Sequence, residues 1–555
     1  MLTGSDGEVG DEHDARVRRL RGPPLMIARL PVAAAAAALV LLATRIGYVP
    51  LWDGRIYADC IVDAAAGRLA LSTLRCADHI SHAYMLYAGA IQWLRPGSFP
   101  AILLANALLY LLACIAFVRL TRLAFPDDAH RVGRAFLGAA FALQPSILAS
   151  VVQPTIDLPL LPGFLWGALF VLRRQWVRLV TVGVAMVFSK ETGVIFYAAL
   201  VGVYALLSLI SHRRSASEIR RVLVHLVPLA IPLVVFAIYL AYRATLPKTG
   251  TLVWAAGTSE MSLLKRFVLP RFDRPLLSFL VMLFVLNFSW IPSAIIGVDA
   301  AVGLRRLAAR IPARPLAGAD ASAVKYLVVL CTAVLYIVTR FTMYTNTRYA
   351  LIAFALLPLA MYASMVRLRL PRPARDSLAA ALAVVFAAST IVTADPVSRA
   401  VYGTFSLGDR SLLRMTRFTN ECCGAGRDQL VYNLQFTKFA DLTSDATAFA
   451  HADASTAVFV PKNMLWGALG PVDARTGRRT LERSHAVLPR LLEPDSLAAT
   501  PVPTRAVLLA IPNGDVPGAL RALSSYYLIG RPQRFSRGAY WLELYSLTPR
   551  PAATL

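Results

Sequence analysis

A chain of 555 residues that is 57% hydrophobic and 16% charged, with a mean hydropathy of +0.57, is too apolar for a soluble enzyme and reads as a polytopic helical membrane protein. Its formal charge of +25 would suggest nucleic acid in a soluble chain. Here the arginines sit in short clusters between apolar runs, the pattern that sets membrane topology, and no basic stripe interleaved with aromatics accompanies them. Nucleic-acid binding is set aside on that ground.

The first domain, residues 1–29, is polar and then basic, and is expected to be a disordered cytoplasmic tail. Arg16, Arg18, Arg19 and Arg21 before the first apolar run should hold it inside. The run from Leu30 to Tyr48 is long enough to span and lacks a convincing cleavage site, so it reads as a retained anchor. Residues 50–82 follow, with Asp53, Arg55, Asp59, Asp63, Arg68, Arg75, Asp78, His79 and His82 in one stretch. No span carries so many ionisable groups, and polar groups held at a bilayer surface are candidate chemistry.

His82 to Leu94 is apolar but too short to cross about 30 Å of hydrocarbon, and is expected to lie near the outer surface. Ten further spans are expected: Phe99 to Val118, Ala135 to Val152, Leu158 to Leu172, Val177 to Phe188, Val194 to Ile210, Val222 to Tyr242, Leu276 to Val298, Val324 to Thr339, Tyr349 to Met365 and Leu378 to Thr393. With the first they make eleven. The arginine clusters at 119–134, 173–178, 213–221, 305–314 and 367–375 then all share the side of the N-terminus. Asp53, Asp157, Lys190, Glu191, the loops 245–275 and 340–348 and the C-terminal tail fall on the opposite, outer side. The basic and aromatic stretch Lys265 to Arg274 in the first of these loops reads as leaflet-binding or as a plain interfacial anchor.

The membrane domain is therefore expected over 30–394, and a soluble α/β domain of about 160 residues over 395–555. β-rich runs at Gln429 to Asn433, Ala457 to Val460, Ala506 to Ile511 and Tyr540 to Leu547 alternate there with helical stretches near Thr437 to Ala450 and Pro517 to Leu528. Cys114 and Cys331 lie inside spans as packing residues. Cys60 and Cys76 share the outer loop, so a disulfide between them competes with free buried thiols, and Cys422 and Cys423 are adjacent in the tail. No cysteine spacing matches a zinc site.

Four stretches carry chemistry in order. They are Trp52-Asp53 with Tyr57-Ala58-Asp59, Pro154-Thr155-Ile156-Asp157-Leu158, Phe188-Ser189-Lys190-Glu191-Thr192-Gly193, and Arg348-Tyr349 leading to Leu357-Pro358. Together, over Leu30 to Met365, they resemble the GT-C superfamily of lipid-dependent glycosyltransferases, in the branch of protein O-mannosyltransferases and bacterial aminoarabinose transferases. The chain departs from that pattern at Gly54, where a second acid is common, and at His79 to His82, where a lysine and paired prolines are usual.

The resemblance implies transfer of a sugar from a polyprenyl-phosphate donor to an acceptor hydroxyl on a glycan, lipid or protein, at the outer face of the cytoplasmic membrane. Asp53 would take the hydroxyl proton during inversion, its proton affinity adjusted by burial and by Arg55; a helix N-cap is the plain alternative. Asp157 would meet Asp53 as acceptor or metal partner, or simply cap a helix between Pro154 and Pro159. Two carboxylates are too few to assign a divalent metal, so no cofactor is assigned and metal stays open.

Lys190 and Arg348, with Arg55, would hold the donor phosphate, unless Lys190 and Glu191 merely neutralise one another. His79 and His82, three apart, could share a helix face as a polar anchor supporting the loop or the acceptor, or in a metal-binding or general-acid role. Tyr57, Asp59, Glu191 and Tyr349 are expected to support the loop or the acceptor. A flippase of lipid-linked glycan and a non-catalytic envelope scaffold are the competing functions; paired repeats and helices interrupted at mid-membrane would favour the flippase.

Overall fold

The computed structural model describes residues 25–43, 53–67, 75–76, 79–212, 215–245, 274–310, 318–341, 347–392, 394–407, 410–413, 442, 445–446, 448–450, 455–459, 461, 490–492, 494, 497, 501–510, 516–537 and 540–551. Within these, the side chains of Asp53, Arg55, Asp59, Arg75, Cys76 and His79 lie outside the description. So do the 1–24 tail, the stretch Lys265 to Asp273, Cys422 and Cys423, and the run expected at Gln429 to Asn433.

Among the described residues six helices are long and apolar enough to cross a membrane, and up to eight if each of two bent pairs counts as one span. The three other expected spans fall on shorter apolar helices, Leu30–Ala43, Leu160–Leu172 and Trp176–Val187. The protein is a multi-pass helical membrane protein. Some of its helices begin at a side-chain cap. Ser98 accepts the Ala101 N–H at 3.4 Å ahead of the 26-residue helix Phe99–Ala124, with Pro100 in the first turn. Gln144 caps Pro145–Val152 through the Ser146 N–H at 2.8 Å.

Helix Leu351–Arg367 sits at the centre, buried along nearly its whole length between Ala321–Phe341, Trp290–Ala308 and the segment 131–152. Small residues allow close approach around it: a Cβ on Gly133 would collide with the Tyr362 ring. At one end of the bundle the arginine-rich turns are tied by short contacts, Arg134 to the Phe125 carbonyl at 2.5 Å and Arg367 to Asp299 at 2.8 Å. The turns at 153–159, 188–191 and 347–350 lie at the other end, as the alternation of helix directions requires.

Two of the expected spans are bent. Val222 to Tyr242 is not one straight helix but two, bent by 41° at Ala230 between Pro228 and Pro232. Leu276 to Val298 is broken outright: Phe279–Phe288 and Trp290–Ala308 meet at 112°. Asn287 and Phe288 take left-handed φ of 50° and 63° there, costly for residues with a Cβ.

The buried carboxylate of Asp395 holds that break. It accepts the Phe288 N–H at 2.8 Å, the Trp290 indole N–H at 3.2 Å, the Val397 N–H at 3.0 Å and the Ser398 hydroxyl. Ser398 Oγ in turn accepts the Asn287 N–H at 3.0 Å. Asp395 also caps helix Pro396–Tyr402, which follows the last span, Arg372–Ile391.

The tail contains a six-stranded mixed sheet among its described residues. The long strand Tyr540–Pro549 pairs antiparallel with Ala506–Ala510, Tyr527–Ile529 and Gln533–Arg537. Ala457–Phe459 lies parallel between Ala506–Ala510 and Arg490–Leu492. The period of two along Ala506–Ala510 divides the core: Ala506, Leu508 and Ala510 pack toward helix Val516–Ser524 and Tyr527, while Val507 and Leu509 belong to the buried cluster that is continuous with the bundle. The helix expected over Pro517 to Leu528 stops at Ser524 and gives way to strand.

Candidate active site

Pro154 prevents helix Pro145–Val152 from continuing, and the chain turns through Asp157 before Leu160–Leu172 begins on Pro159. The second turn, 188–191, joins Trp176–Val187 to Thr192–His212. Gly193 lets it close, because a Cβ there would collide with the Met186 carbonyl oxygen. The third is the 3-10 turn Thr347–Ala350, packed between Pro145–Val152 and Arg274–Val285.

These turns bring Asp157, Lys190, Arg348 and Tyr349 together from positions up to 192 residues apart. Lys190 Nζ lies 2.5 Å from Asp157 Oδ1, and Arg348 Nε lies 3.8 Å from Oδ2. The Asp157 and Lys190 side chains are each 7% exposed and that of Arg348 14%. Tyr349 sits between the cations: Lys190 Nζ is 4.7 Å and Arg348 Cζ 5.0 Å from its ring centroid, and Arg348 Nη2 donates to its hydroxyl at 3.0 Å.

One carboxylate thus faces two cations, which leaves this quartet one positive charge in surplus among the described residues. In a site this buried, fixed cations interact strongly with an anion brought beside them. Such a quartet has the composition to hold an anion. Among the described residues no group of three histidine, cysteine or acidic side chains is placed to hold an ion.

Lys190 and Glu191 do not neutralise one another. Lys190 turns to Asp157, whereas Glu191 Oε1 accepts the Ile80 N–H at 2.6 Å. Asp157 is likewise no helix cap; its carboxylate is committed to the cations. His79 and His82 do not share a helix face: His79 is in the strand His79–Ile80, paired with Arg75–Cys76, and His82 opens the helix His82–Gln92. His82 is buried, its Nε2 3.0 Å from the Tyr239 hydroxyl.

Asp53 is the first residue of helix Asp53–Ala65. The next residue, Gly54, packs so closely on Gln153 that a Cβ would lie 2.8 Å from its Cγ. The N-terminus of that helix therefore abuts the turn carrying Asp157, and the space that a side chain at position 54 would take is filled by Gln153. Tyr57 is buried at 1% exposure. Cys60 is disulfide-bonded; the side chain of its expected partner, Cys76, lies outside the description. Cys114 and Cys331 are free and lie within helices of the bundle, as packing residues should.

Sequence reasoning missed Gln153, Tyr239 and Asp395. Only the last carried a local signal, an Asp-Pro step that reads as a helix N-cap with proline at N1.

Comparison with known proteins places these features in context. No family model matches the chain, and no curated protein matches it. Two crystal structures of ArnT from Cupriavidus metallidurans do, one bound to undecaprenyl phosphate and one in the apo state. The chain is similar to both. Each match covers 93% of this chain and 97% of the other, with a TM-score of 0.49, at 16% identity for the first and 15% for the second.

Proposed function

We propose that this protein is a membrane glycosyltransferase that moves a sugar from a polyprenyl-phosphate donor to an acceptor hydroxyl. The observation that carries the reading is the convergence of Asp157, Lys190, Arg348 and Tyr349 from three turns at one end of an apolar bundle, beside the N-terminus of helix Asp53–Ala65. A buried cluster of this kind, with a lysine and an arginine on one carboxylate, suits a phosphate whose chain remains in lipid. The identity of the chain as a prenyl carrier comes from the motif resemblance.

In this reading the donor phosphate approaches Lys190 and Arg348, which stabilise the charge that grows on it as the bond from phosphate oxygen to the anomeric carbon breaks. Asp53 removes the acceptor proton as the hydroxyl oxygen attacks the anomeric carbon from the opposite face, inverting configuration. Asp157 holds the two cations in place and Tyr349 orients them. The site end faces the outside of the cytoplasmic membrane, with the arginine-rich turns inside.

Transfer assayed in membranes with a polyprenyl-phosphate sugar tests this. Asp53→Asn should abolish transfer while leaving donor binding within a few-fold; transfer at the wild-type rate would remove Asp53 from the mechanism. The two broken spans favour a second reading, movement of a lipid-linked glycan across the bilayer, since interrupted helices are a transporter feature. Donor flipping in vesicles that Asp53→Asn leaves intact, with no transfer by wild type, would select that alternative.

A further inference from the structure

Glu191 and His82 lie outside the charge quartet, and the reaction above does not use them. Their contacts run to one place. Glu191 Oε1 accepts the Ile80 N–H at 2.6 Å, and the Phe188 carbonyl accepts the Ala83 N–H at 2.9 Å. Between these bonds the His82 ring stands edge-on to Phe188 at 6.0 Å and to Tyr239 at 5.0 Å, with Nε2 at 3.0 Å from the Tyr239 hydroxyl. The turn 188–191 therefore grips residues 80–83 at both of its ends, while Lys190 leaves it in another direction to reach Asp157.

What is gripped continues into helix Asp53–Ala65. Helix His82–Gln92 packs along it, with a Cβ on Gly89 falling 3.2 Å from Ala64 Cβ, and the Trp93 indole N–H donates to the Ala65 carbonyl at 3.1 Å. At 1.5 Å per residue, helix Asp53–Ala65 is about 20 Å long. A small tilt at its Ala65 end becomes a large displacement at Asp53.

We infer that Glu191 is a positioning residue: through the Ile80 N–H it holds the 79–92 segment, and with it helix Asp53–Ala65, in register with the Lys190 turn. Its carboxylate acts as a hydrogen-bond acceptor for the backbone and not as a counter-ion for Lys190. This rests on the reading of Asp53 as the base, so its test has a readout that owes nothing to transfer.

The full-length protein in lipid nanodiscs is compared as wild type, Glu191→Ala and Glu191→Gln, measuring backbone amide exchange across 79–92 and sugar transfer from a polyprenyl-phosphate donor. Loss of a charge-assisted bond in Glu191→Ala should speed Ile80 and Ala83 exchange by about 10- to 100-fold. It should lower kcat with little change in KM for the donor. Glu191→Gln keeps an acceptor oxygen and should recover most of both. Exchange unchanged in Glu191→Ala, or a glutamine variant as impaired as the alanine one, overturns the inference.

Should Glu191→Ala fail to fold, Glu191→Asp, whose carboxylate is one methylene short of the Ile80 N–H, should raise exchange over 80–83 several-fold, and no rise there is equally decisive. Faster exchange in Glu191→Ala, in a protein whose wild type transfers no sugar, supports the grip and defeats the transferase reading alone.

Discussion

Three N–H donors radiate from the Lys190 ammonium; Asp157 accepts at 2.5 Å and the Tyr349 ring lies on another side. If the remaining reach serves a phosphate, charge should matter more than shape. Lys190→Ala should lower kcat/KM for the donor by at least about 100-fold, the magnitude of losing one strong electrostatic donor, while Lys190→Arg retains more than a tenth of it. Asp157 should show its role in stability first. With Asp157→Asn the buried Lys190 ammonium loses the carboxylate it pairs with, which should cost about 3–5 kcal/mol, read as a fall in the thermal midpoint in detergent. Adding Lys190→Met to that variant should restore part of the loss, because one stranded charge goes with it.

Residues near in sequence part company here because their partners are distant. Lys190 and Glu191 read as a self-neutralising pair, yet one looks to position 157 and the other to position 80. The acids and cations themselves were legible as short motifs. Their meeting depended on three turns whose geometry no local window contains.

Among elements, the turn at 188–191 depends most on a single atom it lacks. A Cβ at Gly193 would strike the Met186 carbonyl, backbone that cannot swing aside. Gly202, about two and a half helix turns further along Thr192–His212, has nothing within 4 Å of the same position. Gly193→Ala should therefore abolish transfer and lower the thermal midpoint. Gly202→Ala should leave transfer intact and stabilise by about 0.5–1 kcal/mol through helix propensity; equal effects would show that the turn tolerates the crowding.

The same scale shows where pattern reading stops. Apolar length located the spans and the short helix His82–Gln92, because hydropathy is a local property. The bend at Asn287 and Phe288 left no such trace. Pro292 follows it in the first turn of the next helix, but the groups that satisfy its backbone belong to Asp395 and Ser398, more than a hundred residues away. In the tail, the apolar runs Ala457–Phe459 and Ala506–Ala510 were readable as strands, whereas the exposed and basic Gln533–Arg537 was not, since its pairing to Tyr540–Pro549 is set by the partner strand.

For the molecule as a whole, the charge pattern makes an orientation testable. Trp93 and Leu94 are 72% and 73% exposed at the end of helix His82–Gln92, on the site end of the bundle. A membrane-impermeant maleimide added to intact cells should label Leu94→Cys in a background with Cys60 to Cys76 and the other cysteines accounted for. Labelling confined to inverted vesicles would turn the protein over and remove a lipid-linked donor on the outer face from consideration.

The Asp395 carboxylate also imposes an order on biosynthesis. The corner between Phe279–Phe288 and Trp290–Ala308 has its amide and indole donors answered only by side chains that leave the ribosome about a hundred residues later. Until then that stretch must wait at the translocon or in the leaflet with its corner solvated, while the helices from Ala321 to Ile391 insert around it. Nascent chains stalled after residue 392 should consequently be clipped by protease near 287, and chains stalled far enough on to expose Ser398 should not.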